Sequence, residues 1–146
     1  MNILTLKLCS VSLSVLVGVD AELNERWIDV NETEDRIVSQ WEGREVSADE
    51  KREMHDKVDK ILRRRGFETS LLVIRRANSL ALCFICMTLS ALMSLREKWC
   101  SRQLRRTVEE IFTFLSRATQ TVRVKRLTWP LADYQRCLNF FSSVQG

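Results

Sequence analysis

Between Ser79 and Leu95 the chain runs for seventeen residues without a charge, a Gly or a Pro, fenced by Arg75 and Arg76 before it and Arg96 and Lys98 after it. A helix of that length rises about 26 Å at about 1.5 Å per residue. That is slightly short of the hydrocarbon core of a bilayer, and the flanking cations could snorkel to both surfaces. Residues 78–96 therefore read first as a transmembrane helix and second as the buried helix of a soluble bundle. A second apolar run, Leu8 to Val19, follows Lys7 and ends on Val19-Asp20-Ala21, the arrangement of a signal peptide or signal anchor over residues 1–21. Within it Ser10, Ser12 and Ser14 alternate with Val11, Leu13, Val15 and Val17, which also describes a strand with one buried face.

Elsewhere the period is helical. In the charged region 22–77, Leu23, Trp27 and Val30, then Ile37, Val38 and Trp41, fit two short amphipathic helices that break near Asn31 and Gly43. Ser47 and Glu50 form a capping box, Met54, Val58, Ile61 and Leu62 repeat at helical spacing, and Arg63, Arg64 and Arg65 fill the last turn before Gly66, so a helix is predicted over 48–65. In residues 97–146, Leu104, Val108, Ile111, Leu115, Ala118 and Val122 recur at spacings of four and three, as in a coiled-coil seam. The segment "VRVKRLTWP" interrupts, and Leu131, Tyr134, Leu138 and Phe141 resume the stripe after Pro130. The expected fold is all-α: short amphipathic helices, one long apolar helix at 79–95 and a basic C-terminal helical hairpin.

Charge narrows the partners. With 23 basic residues against 19 acidic ones the net charge is +4, which favours anionic partners without choosing among them. Five cysteines at irregular spacing do not form the pattern of a disulfide framework. The Cys83/Cys86 pair lacks a second pair or nearby His to close a zinc site, the single His being His55. No nucleophile elbow, P-loop, metalloprotease or dinucleotide motif occurs, so the chain reads as non-enzymatic, with no catalytic residue, cofactor or metal.

Binding is what the residues suggest instead. The candidate partner-binding set is Trp99, Arg102, Leu104, Arg105, Arg106, Val108, Ile111 and Leu115, engaging another protein through the C-terminal helices or a second copy of the chain. Arg123, Lys125, Arg126 and Trp129 lie in a segment with no acid and could hold an anionic membrane surface or RNA. Asn31-Glu32-Thr33 is a glycan acceptor if the chain enters the secretory pathway, and Cys100, just past the apolar run, is a lipidation candidate. The function expected is a small membrane-associated protein of the secretory pathway that binds a partner through its basic hairpin. The alternatives are a soluble helical adaptor or viral accessory protein of the host cytoplasm or nucleus, and a secreted cytokine-like ligand.

Through "EKW" at 97–99, "EEIF" at 109–112 and "YQRCLNFFSSVQ" at 134–145, the last third of the chain resembles the C-terminal helical hairpin of influenza-type nuclear export proteins. The similarity covers one third of the chain and needs a one-residue shift in its middle, so family membership is not read from it. It implies Trp99 as a partner-docking residue and an export-signal-like spacing in "LVIRRANSLAL" at 72–82.

Overall fold

Alternation decides the first element. Cys9, Val11, Leu13 and Val15 are buried while Ser10, Ser12, Ser14 and Leu16 are exposed, so this stretch is a strand with one face in the core. The computed structural model describes residues 9–19, 30–77, 80–117 and 121–145. In chain order the elements are β1 (Cys9–Val19), α1 (Val30–Glu42), α2 (Ala48–Arg64), β2 (Ser70–Arg76), β3 (Leu80–Cys86), α3 (Leu89–Cys100), α4 (Gln103–Ser116), β4 (Val122–Thr128) and α5 (Leu131–Gln145). The strands form one sheet in the order β2-β3-β1-β4, each neighbouring pair antiparallel.

Helices α1 to α4 pack on the inward face of the sheet, and α5 lies against β1 and α3. The core between them holds Leu13, Ile37, Leu62, Ile74, Leu80, Leu82, Phe84, Leu92, Leu95, Leu104, Ile111 and Phe112, each under 2% exposed. Local chemistry fixes the helix ends. Ser47 Oγ accepts from the Glu50 N–H at 3.2 Å to cap α2, and Thr88 Oγ1 accepts from Ala91 N–H at 3.0 Å to cap α3. Gly43 closes α1 at φ +66°, and Gly66 follows α2 at φ +81°, both in the left-handed region that favours glycine.

The all-α expectation is overturned by the four-stranded sheet, and with it the long apolar helix. The uncharged run 79–95 is two elements, strand β3 and the first half of α3, separated at Met87 and Thr88. Its hydropathy has a physical source: β3 is an inner strand flanked by β2 and β1, and five of its seven side chains are buried, Ala81 on the outward face among them. A strand buried on both faces reads as a continuous apolar run. The transmembrane reading falls with it, since among the described residues no helix is long and apolar enough to cross a membrane.

The helical hairpin of 97–146 is likewise corrected. The seam holds from Leu104 to Leu115, but Val122 belongs to β4, where Val122 and Val124 point inward and Arg123 and Lys125 outward with period two. Ala118 lies outside the described residues, as do Leu23 and Trp27. Of the segment read as a signal or anchor, Cys9–Val19 supplies the central strand of the sheet.

Candidate interaction site

Side chains from the helices close the open edge of β4. Thr113 Oγ1 accepts from the Val122 N–H and Glu109 Oε2 from the Val124 N–H, each at 2.9 Å. Arg105 Nη2 donates to the Lys125 carbonyl at 2.7 Å and Trp99 Nε1 to the Leu127 carbonyl at 3.3 Å. The part of β1 that extends beyond β4 is closed by α5, where Asp133 Oδ2 accepts from the Ser12 N–H at 3.2 Å and Arg136 Nη2 donates to the Ser10 carbonyl at 2.8 Å. Unpaired strand edges recruit other strands. Trp99 and Arg105, two of the sequence-predicted partner-binding residues, thus hold the fold together.

The other predicted residues separate into two groups. Leu104, Val108, Ile111 and Leu115 are at most 1% exposed, so the seam is internal packing beneath α1 and β4. Trp129 is buried at 3% and is not placed to stack on a base. Arg102, Arg106, Arg123, Lys125 and Arg126 are exposed along neighbouring α4 and β4. Asn31 is exposed in the first turn of α1, where its Oδ1 accepts from Arg76, whereas Thr33 is buried. Cys100 is exposed at the end of α3.

Where α3 meets α5, four residues the sequence reading passed over or treated separately come together. The Arg96 guanidinium carbon lies 4.5 Å from the ring centre of Trp99, 4.6 Å from Tyr134 and 5.1 Å from Trp129. The rings brace one another edge to face, Trp99 to Trp129 at 6.3 Å and Trp129 to Tyr134 at 5.4 Å. Arg96 Nη1 and Trp129 Nε1 are buried without a hydrogen-bond partner among the described residues. Beside this cage runs an open groove of about 720 Å³ lined by Leu89, Met93, Arg96, Glu97, Cys100 and Tyr134, together with two serines. Met93 is 54% exposed there. Two signals for this site were in the sequence: Arg96 stands three residues before Trp99, one turn apart on a helix, and Tyr134 follows Trp129-Pro130 in the next helix's first turn.

The remaining chemical groups have structural partners. His55 stacks on Trp41 at 3.7 Å and donates from Nε2 to the Trp41 carbonyl at 2.8 Å. Arg64 and Arg65 both pair with Glu110 and tie α2 to α4, while Arg76 pairs with buried Glu34 and ties β2 to α1. Burial, helped by the charge of Cys9, pushes the Cys86 thiol up to about 12. Burial, then a hydrogen bond with Cys9, raises Cys137 as well. The hydrogen bond from Arg136 to Asp133 holds that guanidinium more firmly protonated. Among the described residues no group of three or more His, Cys, Asp or Glu is arranged to hold a metal ion. No protein family, curated protein or solved structure matches this chain, so the chemistry of the site itself carries the functional reading.

Proposed function

We propose that this chain is a non-enzymatic interaction module that docks a segment of a protein partner in the α3–α5 groove, and that the segment joins a carboxylate to apolar side chains. The observation that carries this reading is Arg96. Its guanidinium stands among three rings at the groove wall with no acceptor among the described residues, and Met93 and Leu89 offer apolar contact beside it. A cation held at a fixed place by aromatic faces is prepared for a carboxylate that approaches its groove-facing edge, since Nη1 itself is closed off from solvent, and burial of neighbouring apolar surface would strengthen that contact. Glu97 on the same groove selects against segments with acids at its own position. The engagement of the single His in a ring stack supports the non-enzymatic part.

The test is a peptide library displayed on phage and panned against the folded chain, with enriched peptides titrated against variants. Peptides that combine acids with apolar residues, and that lose at least tenfold in affinity on Arg96→Met but little on Arg106→Ser, are the expected result. Equal binding to Arg96→Met, or no enrichment, would refute it. A second reading rests on the exposed cations Arg102, Arg106, Lys125 and Arg126, which give α4 and β4 a positive strip suited to RNA or an anionic membrane surface. That reading demands affinity for polyanions that falls steeply with salt and with Lys125→Ser or Arg126→Ser.

A further inference from the structure

The five thiols occupy different environments. Cys100 is exposed, and Cys83 is half-buried on the outward face of the sheet, its sulfur 3.5 Å from Ser12 Oγ. Cys9, Cys86 and Cys137 are buried together at the junction of β1, β3 and α5. Cys9 is in register with Cys86 across the β1–β3 ladder, but its sulfur points to Cys137, 2.7 Å away and 128 positions further along the chain. A bond between the two sulfurs would shorten that separation only slightly.

We propose that Cys9 and Cys137 are a redox pair that closes into a disulfide and fastens the C-terminal helix to the central strand. The surroundings suit this. The junction is already held by Asp133 and Arg136, which grip the backbone of Ser12 and Ser10, and Arg136 Nη1 lies 3.6 Å from the Cys9 sulfur. Both side chains are fixed by packing, Cys9 at 3% and Cys137 at 0% exposed, so closure orders no free group. The irregular spacing and odd number of cysteines hid the pair, since its members sit near opposite ends of the chain and the other three thiols have no part in it.

The oxidant is a small disulfide of the glutathione class. One cysteine thiolate attacks a sulfur of the oxidant, whose S–S bond breaks and releases one glutathione thiol that carries the proton. The second cysteine attacks the resulting mixed disulfide, forms the protein S–S bond and expels the second glutathione with the second proton. Two electrons pass from the cysteine sulfurs to the oxidant. Because the pair is buried, the reagent enters when α5 lifts from β1, and the finished bond prevents that lift. The proposal is independent of partner docking.

The experiment uses the full-length chain incubated under native conditions with oxidised glutathione, then unfolded in acidic denaturant, blocked with N-ethylmaleimide in that denaturant at neutral pH so that the buried thiols are labelled too, and digested with trypsin. Cleavage after Lys7, Arg26, Arg76, Arg96 and Arg136 places Cys9 in residues 8–26, Cys137 in 137–146, and both Cys83 and Cys86 in 77–96. The expected product is the linked pair 8–26 with 137–146, two hydrogens lighter than the separate peptides and resolved by reductant. The unlinked chain should take up five maleimides and the linked chain three, and the linked form should melt at a higher temperature. The double variant Cys83→Ser/Cys100→Ser should form the same link. Five reactive thiols after incubation, a stable glutathione adduct on either residue, or a link from Cys9 to the 77–96 peptide would each overturn the proposal.

Discussion

Replacing Arg96 by Met isolates what the caged cation does. Each ring within about 6 Å of a guanidinium contributes about 0.5–1 kcal/mol at a partly exposed site. The three contacts at 4.5, 4.6 and 5.1 Å therefore add about 1.5–3 kcal/mol. Against them stands the buried Nη1 without an acceptor, and a desolvated, unpaired donor costs about 1–3 kcal/mol. The two terms nearly cancel. Met fills much of the same volume, removes the unpaired donor and sets a sulfur against the rings, a contact that contributes about 0.3–1.5 kcal/mol. Arg96→Met should thus change stability by less than about 1 kcal/mol in a urea titration, with the slope of the transition unchanged. The same variant should lose peptide binding in the groove. A loss above about 2 kcal/mol would show that the cation is a structural element of the α3–α5 junction, and the functional reading of the groove would lose its main support.

Three further outcomes are expected. Glu109→Ala removes the acceptor of the Val124 N–H; the lost charge-assisted bond should cost about 2 kcal/mol and raise concentration-dependent aggregation by light scattering, and an unchanged variant would mean the β4 edge needs no cover. Gly43→Ala and Gly66→Ala each force a left-handed residue at a cost of about 1 kcal/mol, but only at Gly43 does the new Cβ clash, with Lys51 at 2.8 Å, whereas at Gly66 it makes an ordinary contact with Lys98 at 3.9 Å, so Lys51→Ala should recover part of the loss at Gly43 and none at Gly66 in thermal melts. For Cys86, the unfolded thiol titrates near 9.0 while the folded one is held protonated up to about 12. Above pH 9 the unfolded chain gives up a proton that the fold retains, so stability falls between pH 9 and 12, by about 1.4 kcal/mol per pH unit. Between pH 8 and 10 the decline in urea midpoint should be smaller in Cys86→Val, and equal declines would contradict the buried, protonated thiol.

Local signals in this chain were legible where one element could be specified by its own residues. The α2 helix is specified by Ser47, Glu50 and its apolar spacing, Gly43 marks the end of α1, and Pro130 marks the entry to α5. The sheet was obscured for two reasons. The β3 strand is interior, so its alternation was erased by burial of Ala81 on the outward face, and the run continued without a charge into the apolar first turn of α3. In β4 the alternation of Val122, Arg123, Val124 and Lys125 was visible, but a bulge opposite Leu16 and Val17 breaks it at Arg126. The interaction site depended on tertiary placement. Arg96 and Trp99 share α3, whereas Trp129 and Tyr134 arrive thirty or more residues later, and nothing local ties the two pairs together.

The position of β1 has a consequence for how this protein is made. It is the first described strand to leave the ribosome, yet it lies between β3 and β4, and its partnership with β4 ends at Thr128. Synthesis at about 5–20 residues per second leaves this strand without its full set of neighbours for several seconds, while α1, α2 and the β2–β3 hairpin are still being added. The sheet closes only when the last quarter of the chain arrives, so folding is governed by contacts between distant segments and should be slow for a domain of this size. During that wait Ser10, Ser12 and Ser14 keep one side of the nascent strand hydrophilic. The serine stripe is then a safeguard of biogenesis, and its replacement by valines should reduce the soluble yield of newly made protein more than it alters the stability of the finished fold.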